Sequence, residues 1–337
     1  MVSIRDVARY ANVSTATVSR ALRGLSSVTA ETRARVESAA AELGYVLPFN
    51  ASSLASGLTN SVGVVAPFTS RWFFGTVITG IERVLRDEGL DLVLYGIGDA
   101  ESRTRLFEQM SMRRRVDAMI VLCLPLTKRE LAAVRSLGVP VVFVGTRVAG
   151  FSSVRIEDFT ASAHAVDYLI RLGHERIGLI CDDDPAPFGF TTPRQRKQGY
   201  LSALHAAGIT PLPQWQAVGG FTVAGGEAAM NTLLDGDSPP TAVFALSDEM
   251  AYGALRTLRR RRRTVPEDVS LVGFDNHELA AALDLTTVAQ PVVEQGSEAV
   301  RVLLDELRGR STTPRDVVVP TELVVRASSG SPVGMPN

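Results

Sequence analysis

Residues 4–22, Ile4-Arg5-Asp6-Val7-Ala8-Arg9-Tyr10-Ala11-Asn12-Val13-Ser14-Thr15-Ala16-Thr17-Val18-Ser19-Arg20-Ala21-Leu22, hold the most specific chemical pattern in the chain. Ser3 and Asp6 are placed to cap a first helix and Ser14 to cap a second. Ala8 is small enough for the two helices to cross closely, and Asn12 tolerates a left-handed turn between them. Ile4, Val7, Val13, Val18 and Leu22 then fall on one inner seam, leaving Thr15, Ala16, Thr17, Ser19 and Arg20 on the outer face. Such a face suits the major groove of double-stranded DNA. There an arginine donates two parallel hydrogen bonds to guanine, and a small apolar side chain meets a thymine methyl. The alternative is an ordinary helical hairpin, which a bare alanine-asparagine spacing would allow; a match at every position of the run argues against it.

Other chemistries find no support. Gly96-Ile97-Gly98 lacks the third glycine and the helix start of a dinucleotide-binding loop. His164, His174, His205 and His277 share no metal-ligand spacing, and Cys123 and Cys181, both in apolar runs, read as buried thiols. No nucleophile and base stand in a recognisable arrangement. The expectation is a protein without catalytic residues, metal or cofactor. The arginine run Arg259 to Arg263 reads as the solvated end of a helix rather than a second DNA contact.

These residues need elements to carry them. The chain has 337 residues, 45% hydrophobic and 21% charged, enough for two or three packed units and too apolar for a disordered regulator. Net charge is −1, so any nucleic-acid contact must come from a local patch, and residues 3–43 carry a local excess of +2. No apolar run approaches the roughly 20 residues of a membrane span, and no apolar leader follows Met1, which predicts a cytoplasmic protein without a membrane partner. Three helical segments fill residues 3–43. A small, polar stretch from Val46 to Thr59 reads as a linker. Beyond it, β-branched runs at Val62–Ala66, Asp91–Tyr95, Ala118–Leu122, Val139–Val144, Arg176–Cys181, Thr241–Ala245 and Val269–Phe274 alternate with helical patterns such as Arg194–Ala207 and Glu249–Arg260. That alternation predicts two α/β lobes, each a doubly wound parallel sheet, with a ligand cleft between them.

The N-terminal run resembles the headpiece of the lac-repressor/galactose-repressor family of bacterial transcription regulators. Val28-Thr29-Ala30-Glu31-Thr32-Arg33-Ala34-Arg35-Val36 and Ala41-Glu42-Leu43-Gly44-Tyr45 are similar to the family's third helix. Leu172-Gly173-His174-Glu175-Arg176-Ile177, Pro240-Thr241-Ala242-Val243-Phe244-Ala245 and Val265-Pro266-Glu267-Asp268-Val269-Ser270-Leu271-Val272-Gly273-Phe274-Asp275-Asn276 resemble its core signatures, so the likeness runs from about Ser3 to Arg326.

The resemblance implies an all-α helix-turn-helix headpiece with hinge over 1–58, a two-lobed core like a periplasmic binding protein over 59–330, and a disordered tail at 331–337. It implies a repressor that binds a pseudo-palindromic operator as a homodimer or higher assembly and answers a small-molecule effector, a sugar or sugar derivative. A sugar-binding transport or sensing protein without DNA binding is the alternative. Thr15, Ala16 and Arg20 align with the family's base readers, and Leu54 with a leucine that wedges into the minor groove. Ser52 and Ala55 stand where the family's hinge usually has a basic residue. Phe73, Phe74, Phe190, Arg196, Phe221, Ser247, Asp248 and Asp275 fall where relatives line the effector cleft. Arg196 and Asp275 suit adjacent hydroxyls, and Phe221 suits the apolar face of a pyranose. Ser247 replaces a frequent asparagine, and Glu157-Asp158 replaces the more common aspartate-asparagine pair. Purine-binding relatives use the same positions for a flat base.

Overall fold

A computed structural model describes residues 2–22, 27–45, 58–109, 115–182 and 188–332. The hinge, with Leu54, and the tail beyond residue 332 lie outside the described residues. The chain divides into two compact units, one helical and N-terminal, the other starting at Val62.

In the first unit, α1 (Ile4–Tyr10), α2 (Thr15–Leu22) and α3 (Ala30–Leu43) surround a small core. Ser3 and Asp6 close the start of α1: the Ser3 amide and hydroxyl both donate to Asp6 Oδ2, at 2.9 and 2.7 Å. Asn12 takes φ +53 at the turn, and Ser14 Oγ accepts from the Thr17 amide at 3.1 Å at the start of α2. Val7, Val18 and Val36 are fully buried at the centre, with Ala8, Ala11, Ala21, Ala39 and Ala40 letting the helices approach. Each such valine contributes about 1.5 to 3 kcal/mol. Tyr10 Oη donates to Glu42 Oε2 at 2.5 Å and joins α1 to α3.

The second unit holds two six-stranded sheets. The first lobe contains β1 (Ser61–Ala66), α4 (Trp72–Asp87), β2 (Asp91–Gly96), α5 (Ala100–Gln109), β3 (Ala118–Leu122), α6 (Lys128–Arg135), β4 (Val141–Val144) and β5 (Ser152–Arg155). The chain then crosses into the second lobe with α7 (Asp158–Arg171), β6 (Ile177–Cys181), α8 (Thr192–Ala206), β7 (Gln216–Val218), α9 (Val223–Leu234), β8 (Ala242–Ala245), α10 (Asp248–Arg260), β9 (Ser270–Asp275), α11 (Leu279–Ala282) and β10 (Thr286–Ala289). It returns for α12 (Val292–Leu307) and β11 (Asp316–Val318), and crosses a third time to β12 (Glu322–Val324).

Sheet order is β11-β5-β4-β3-β1-β2 in the first lobe and β12-β10-β9-β8-β6-β7 in the second. β3 pairs parallel with β1 and β4, and β9 parallel with β8 and β10, while the edge strand β12 runs antiparallel to β10. Strands buried on both faces, such as β1 and β3, read as near-continuous apolar runs because helices cover both sides. Helices α4 and α12 approach so closely that a Cβ on Gly80 would stand 2.1 Å from the Val293 carbonyl oxygen, and one on Gly296 2.2 Å from that of Val77. His174 is a buried core histidine. Its Nδ1 lies 2.9 Å from Thr241 Oγ1 and its Nε2 2.8 Å from the Gly330 carbonyl, pinning the C-terminal segment, and burial holds its pKa below the usual histidine value.

Candidate functional site: a recognition helix and an interlobe cleft

On α2 the outer residues are placed as amphipathicity requires. Thr15, Ala16 and Arg20 are exposed, Thr17 and Ser19 half-buried, and Val18 and Ala21 face the core. Four outward positions of a short, capped helix thus carry small side chains around one arginine. Small neighbours would let a backbone approach base edges within reach of an arginine.

In the second unit, the polar and aromatic residues converge where the strands of both sheets end. Cys123, Gly145 and Ile156 directly follow β3, β4 and β5; Asp275 ends β9; Gln290 follows β10. Parallel sheets leave their ligand crevices at these C-terminal strand ends. The resulting cleft encloses about 730 Å³ of empty space, part of it open to solvent. Phe73 and Phe74 enter from the first lobe, Phe190 and Phe221 from the second, and Arg196, Ser247 and Asp275 also line it. Phe221 holds φ +53 in the loop after β7.

The polar floor is a buried charge cluster. Arg196 Nε donates to Asp158 Oδ1 at 2.8 Å, Nη1 donates to the Leu246 carbonyl at 2.6 Å and lies 3.5 Å from Asp275 Oδ1. Its guanidinium stacks on Phe274, 3.5 Å from the ring centroid. Much of the arginine fork is therefore committed to protein partners, and Arg196 organises the floor as much as it faces the cleft. Asp275 accepts a 2.6 Å bond from Gln290 Nε2, whose own Oε1 accepts from Gln295 Nε2 at 3.1 Å. Burial pushes the Asp275 carboxyl up to about 7, against the pull of Arg196 and helped by Asp248. Burial raises Asp158 as well, and Arg196 again opposes it. A carboxyl poised near neutrality can donate or accept, according to the group a ligand presents.

Asp248 does not join the cleft lining. Its side chain is fully buried beneath it, accepting from Thr287 Oγ1 at 2.6 Å and from the His277 amide at 2.8 Å. Burial pushes it up to about 6. Gly273 makes room for it: a Cβ there would stand 2.2 Å from Asp248 Oδ1. Ser247 lines the cleft and also caps α10, accepting from the Met250 amide at 3.3 Å.

Sequence reasoning did not select Arg71, Cys123, Gly145, Ile156, Thr192, Pro193, Glu249, Gln290 or Gln295, all of which line the cleft. Four of these directly follow strands, a position that would have singled out Cys123 and Gly145, whose strands the sequence discloses. Burial raises Glu249 above the usual carboxylate range, with Arg71 opposing. In the arginine run, Arg260, Arg261 and Arg263 pair with Glu227, Asp235 and Asp268 at the exposed end of α10. Among the described residues no cluster of three or more His, Cys, Asp or Glu is grouped to hold a metal, and no helix is long and apolar enough to cross a membrane.

Comparison with known proteins places this architecture. Residues 3–47 match the lacI family of bacterial regulatory proteins, and residues 166–329 match a periplasmic binding protein-like domain. The chain is 36% identical to the HTH-type transcriptional repressor CytR of Escherichia coli strain K12 over 332 residues, 97% of this chain and 96% of that protein. Among solved structures, the lac repressor dimer bound to operator and the anti-inducer ONPF superposes with a TM-score of 0.86 at 27% identity, covering 98% of this chain and 99% of that one. The complex of the transcriptional regulator CelR with cellobiose gives 0.72 at 32% identity, covering 97% and 100%. End-to-end identity above 30% to a repressor, on a helix-turn-helix joined to a two-lobed binding core, makes this chain a member of the lacI family of bacterial regulatory proteins.

Proposed function

We propose that the chain is a DNA-binding transcriptional repressor acting in the bacterial cytoplasm, and that a small molecule held between its core lobes sets its affinity for the operator. The headpiece and hinge occupy 1–58, the effector-binding and dimerising core 59–330, and a short tail the remainder. One observation carries the reading: the chain that presents Arg20 on a capped recognition helix also encloses a cleft with phenylalanine walls and a buried Arg-Asp floor. Thr15, Ala16, Thr17, Ser19 and Arg20 read base edges, and Leu54 of the hinge supplies the minor-groove wedge. Two copies related by a twofold axis read a pseudo-palindromic operator.

The effector is a sugar or sugar derivative, a reading supported by the similar regulator CelR, whose structure is a complex with cellobiose. Asp275 and the free edge of the Arg196 cluster meet hydroxyls, and Phe221 covers an apolar ring face. A second reading is favoured by the phenylalanines themselves, which enter from both lobes and suit a flat base, alone or joined to a sugar. A thermal-shift screen of the full chain against monosaccharides, disaccharides, nucleobases and nucleosides separates the two. Binding-site selection from random duplex DNA tests the repressor reading; enrichment of inverted repeats supports it, and no enrichment above the nonspecific background overturns it.

A further inference from the structure

Arg103, on α5 of the first lobe, lies outside the cleft lining, yet it reaches the wall that carries Phe190. Its side chain is only 11% exposed and every nitrogen is engaged. Nε and Nη2 donate to the two oxygens of Glu130 at 2.7 and 2.9 Å, and Nη2 also donates to the Pro125 carbonyl at 2.8 Å. Those partners belong to its own lobe. Nη1 instead donates to the Phe188 carbonyl at 3.2 Å, in the second-lobe segment between β6 and α8. A guanidinium gripped in its plane by a carboxylate has its last N–H directions fixed, so Glu130 aims Arg103 across the gap.

The carbonyl it holds belongs to an aromatic strap. Phe188 is 2% exposed, packs edge-on against Phe68 of the first lobe at 5.2 Å, and lies 5.6 Å from Phe190. Phe68 in turn meets Phe74 at 5.8 Å and Phe190 at 6.2 Å. The two phenylalanines of the strap thus cross to the first lobe beside the cleft, and the crossing is sealed by one charge-assisted hydrogen bond.

We propose that Arg103 is a positioning residue of the effector cleft: it ties the Phe188–Phe190 strap to the opposite lobe, holding Phe190 in the wall and the lobes together. The inference rests on the cleft being the effector site. Without Arg103 the strap is released and the lobes relax apart. Losing one such hydrogen bond lowers the ratio of closed to open molecules about 10-fold.

Trp72 reports this without a ligand, because its ring packs at a tilt against His277 of the other lobe, with centroids 4.8 Å apart, and is only partly buried. In a Trp215→Phe background Trp72 is the sole tryptophan. Acrylamide quenching of Trp72 should rise in Arg103→Met while circular dichroism stays native. Unchanged quenching in the folded variant overturns the proposal. Phe188→Ala, which leaves the Arg103–Glu130 pair in place, should raise quenching likewise, and it carries the test if Arg103→Met fails to fold; unchanged quenching there also overturns it. Where both single variants fold, the double variant should exceed the larger single effect only slightly, since both act through one strap. Additive effects would show that Arg103 merely staples α5 to α6 and would overturn the proposal. Since no ligand enters the measurement, a failed effector screen leaves this result standing, and a failed latch leaves the effector reading standing.

Discussion

At the scale of single residues, one arginine and one carboxyl carry the sharpest expectations. Arg20 is the only long donor among the outward residues of α2, flanked by threonine, alanine and serine. Arg20→Ala should cost about 1 to 3 kcal/mol at one operator base pair and relax preference there. Binding to a set of single-base operator variants checks this; an equal loss on every sequence would assign Arg20 to phosphate instead. Asp275 offers a test in pH. Its carboxyl is raised in the folded chain to about 7 from an ordinary 3.8, so the folded form favours the protonated acid. The stability that proton confers is complete below about pH 4 and is lost as pH rises through about 7. Asp275→Asn keeps the acceptor for Gln290 and removes the titration. Melting temperatures should therefore fall less steeply between pH 4 and 8 in Asp275→Asn than in the parent. Parallel curves would mean that Asp275 is ionised throughout.

At the scale of elements, the joint between β9 and α10 is the tightest part of the site. Gly273 sits against Asp248, whose carboxylate binds Thr287 of β10 and the His277 amide. Gly273→Ala should push Asp248 from these partners and destabilise the second lobe by about 1 to 3 kcal/mol, as overpacking does. Chemical denaturation measures it, and a change within error would show that the strand shifts freely. The same joint shows what the sequence could and could not disclose. The β-branched runs Val62–Ala66 and Ala118–Leu122 were legible as strands because sheets covered on both faces need apolar side chains throughout. Strand β10 escaped because its Thr286 and Thr287 look polar; both are fully buried, their hydroxyls tied to Ser329 and Asp248. Strands β7, β11 and β12, at three residues each, are too short to show a period. Ser247 and Asp248 are neighbours in sequence, yet one lines the cleft and the other lies beneath it, a division made by the turn into α10. Cys123 and Gly145 were within reach of sequence reasoning once the strand ends were used as markers; Ile156 and Gln290 were not, because β5 and β10 do not read as strands in the sequence. Arg103 was not, because its partner is a backbone carbonyl 85 residues away.

At the scale of the whole molecule, function requires two activities to be separable and coupled. The proposed function puts base reading on α2 and ligand binding on residues of the second unit, so a change confined to the cleft should leave the DNA-binding surface intact. Phe221 is the clearest place to break the link: it lines the cleft, is only half-buried, and has no part in the Arg196 floor or the core of the headpiece. Phe221→Ala removes a stacking surface without leaving a buried charge unpaired, so the fold should persist while effector binding weakens. Effector and operator are coupled by a free energy that is typically about 1 to 3 kcal/mol, roughly a 5- to 150-fold change in operator affinity. A ligand shifts that equilibrium only through its differential affinity for the two states, and weaker binding moves the response to higher concentration without altering operator affinity in its absence. Operator titrations with and without the effector identified by the screen should therefore show equal unliganded affinity in Phe221→Ala and the parent, with the variant's response displaced to higher effector concentration. Lost operator binding without effector would mean that Phe221 supports the fold. An unchanged midpoint would move the stacking surface to Phe73, Phe74 or Phe190.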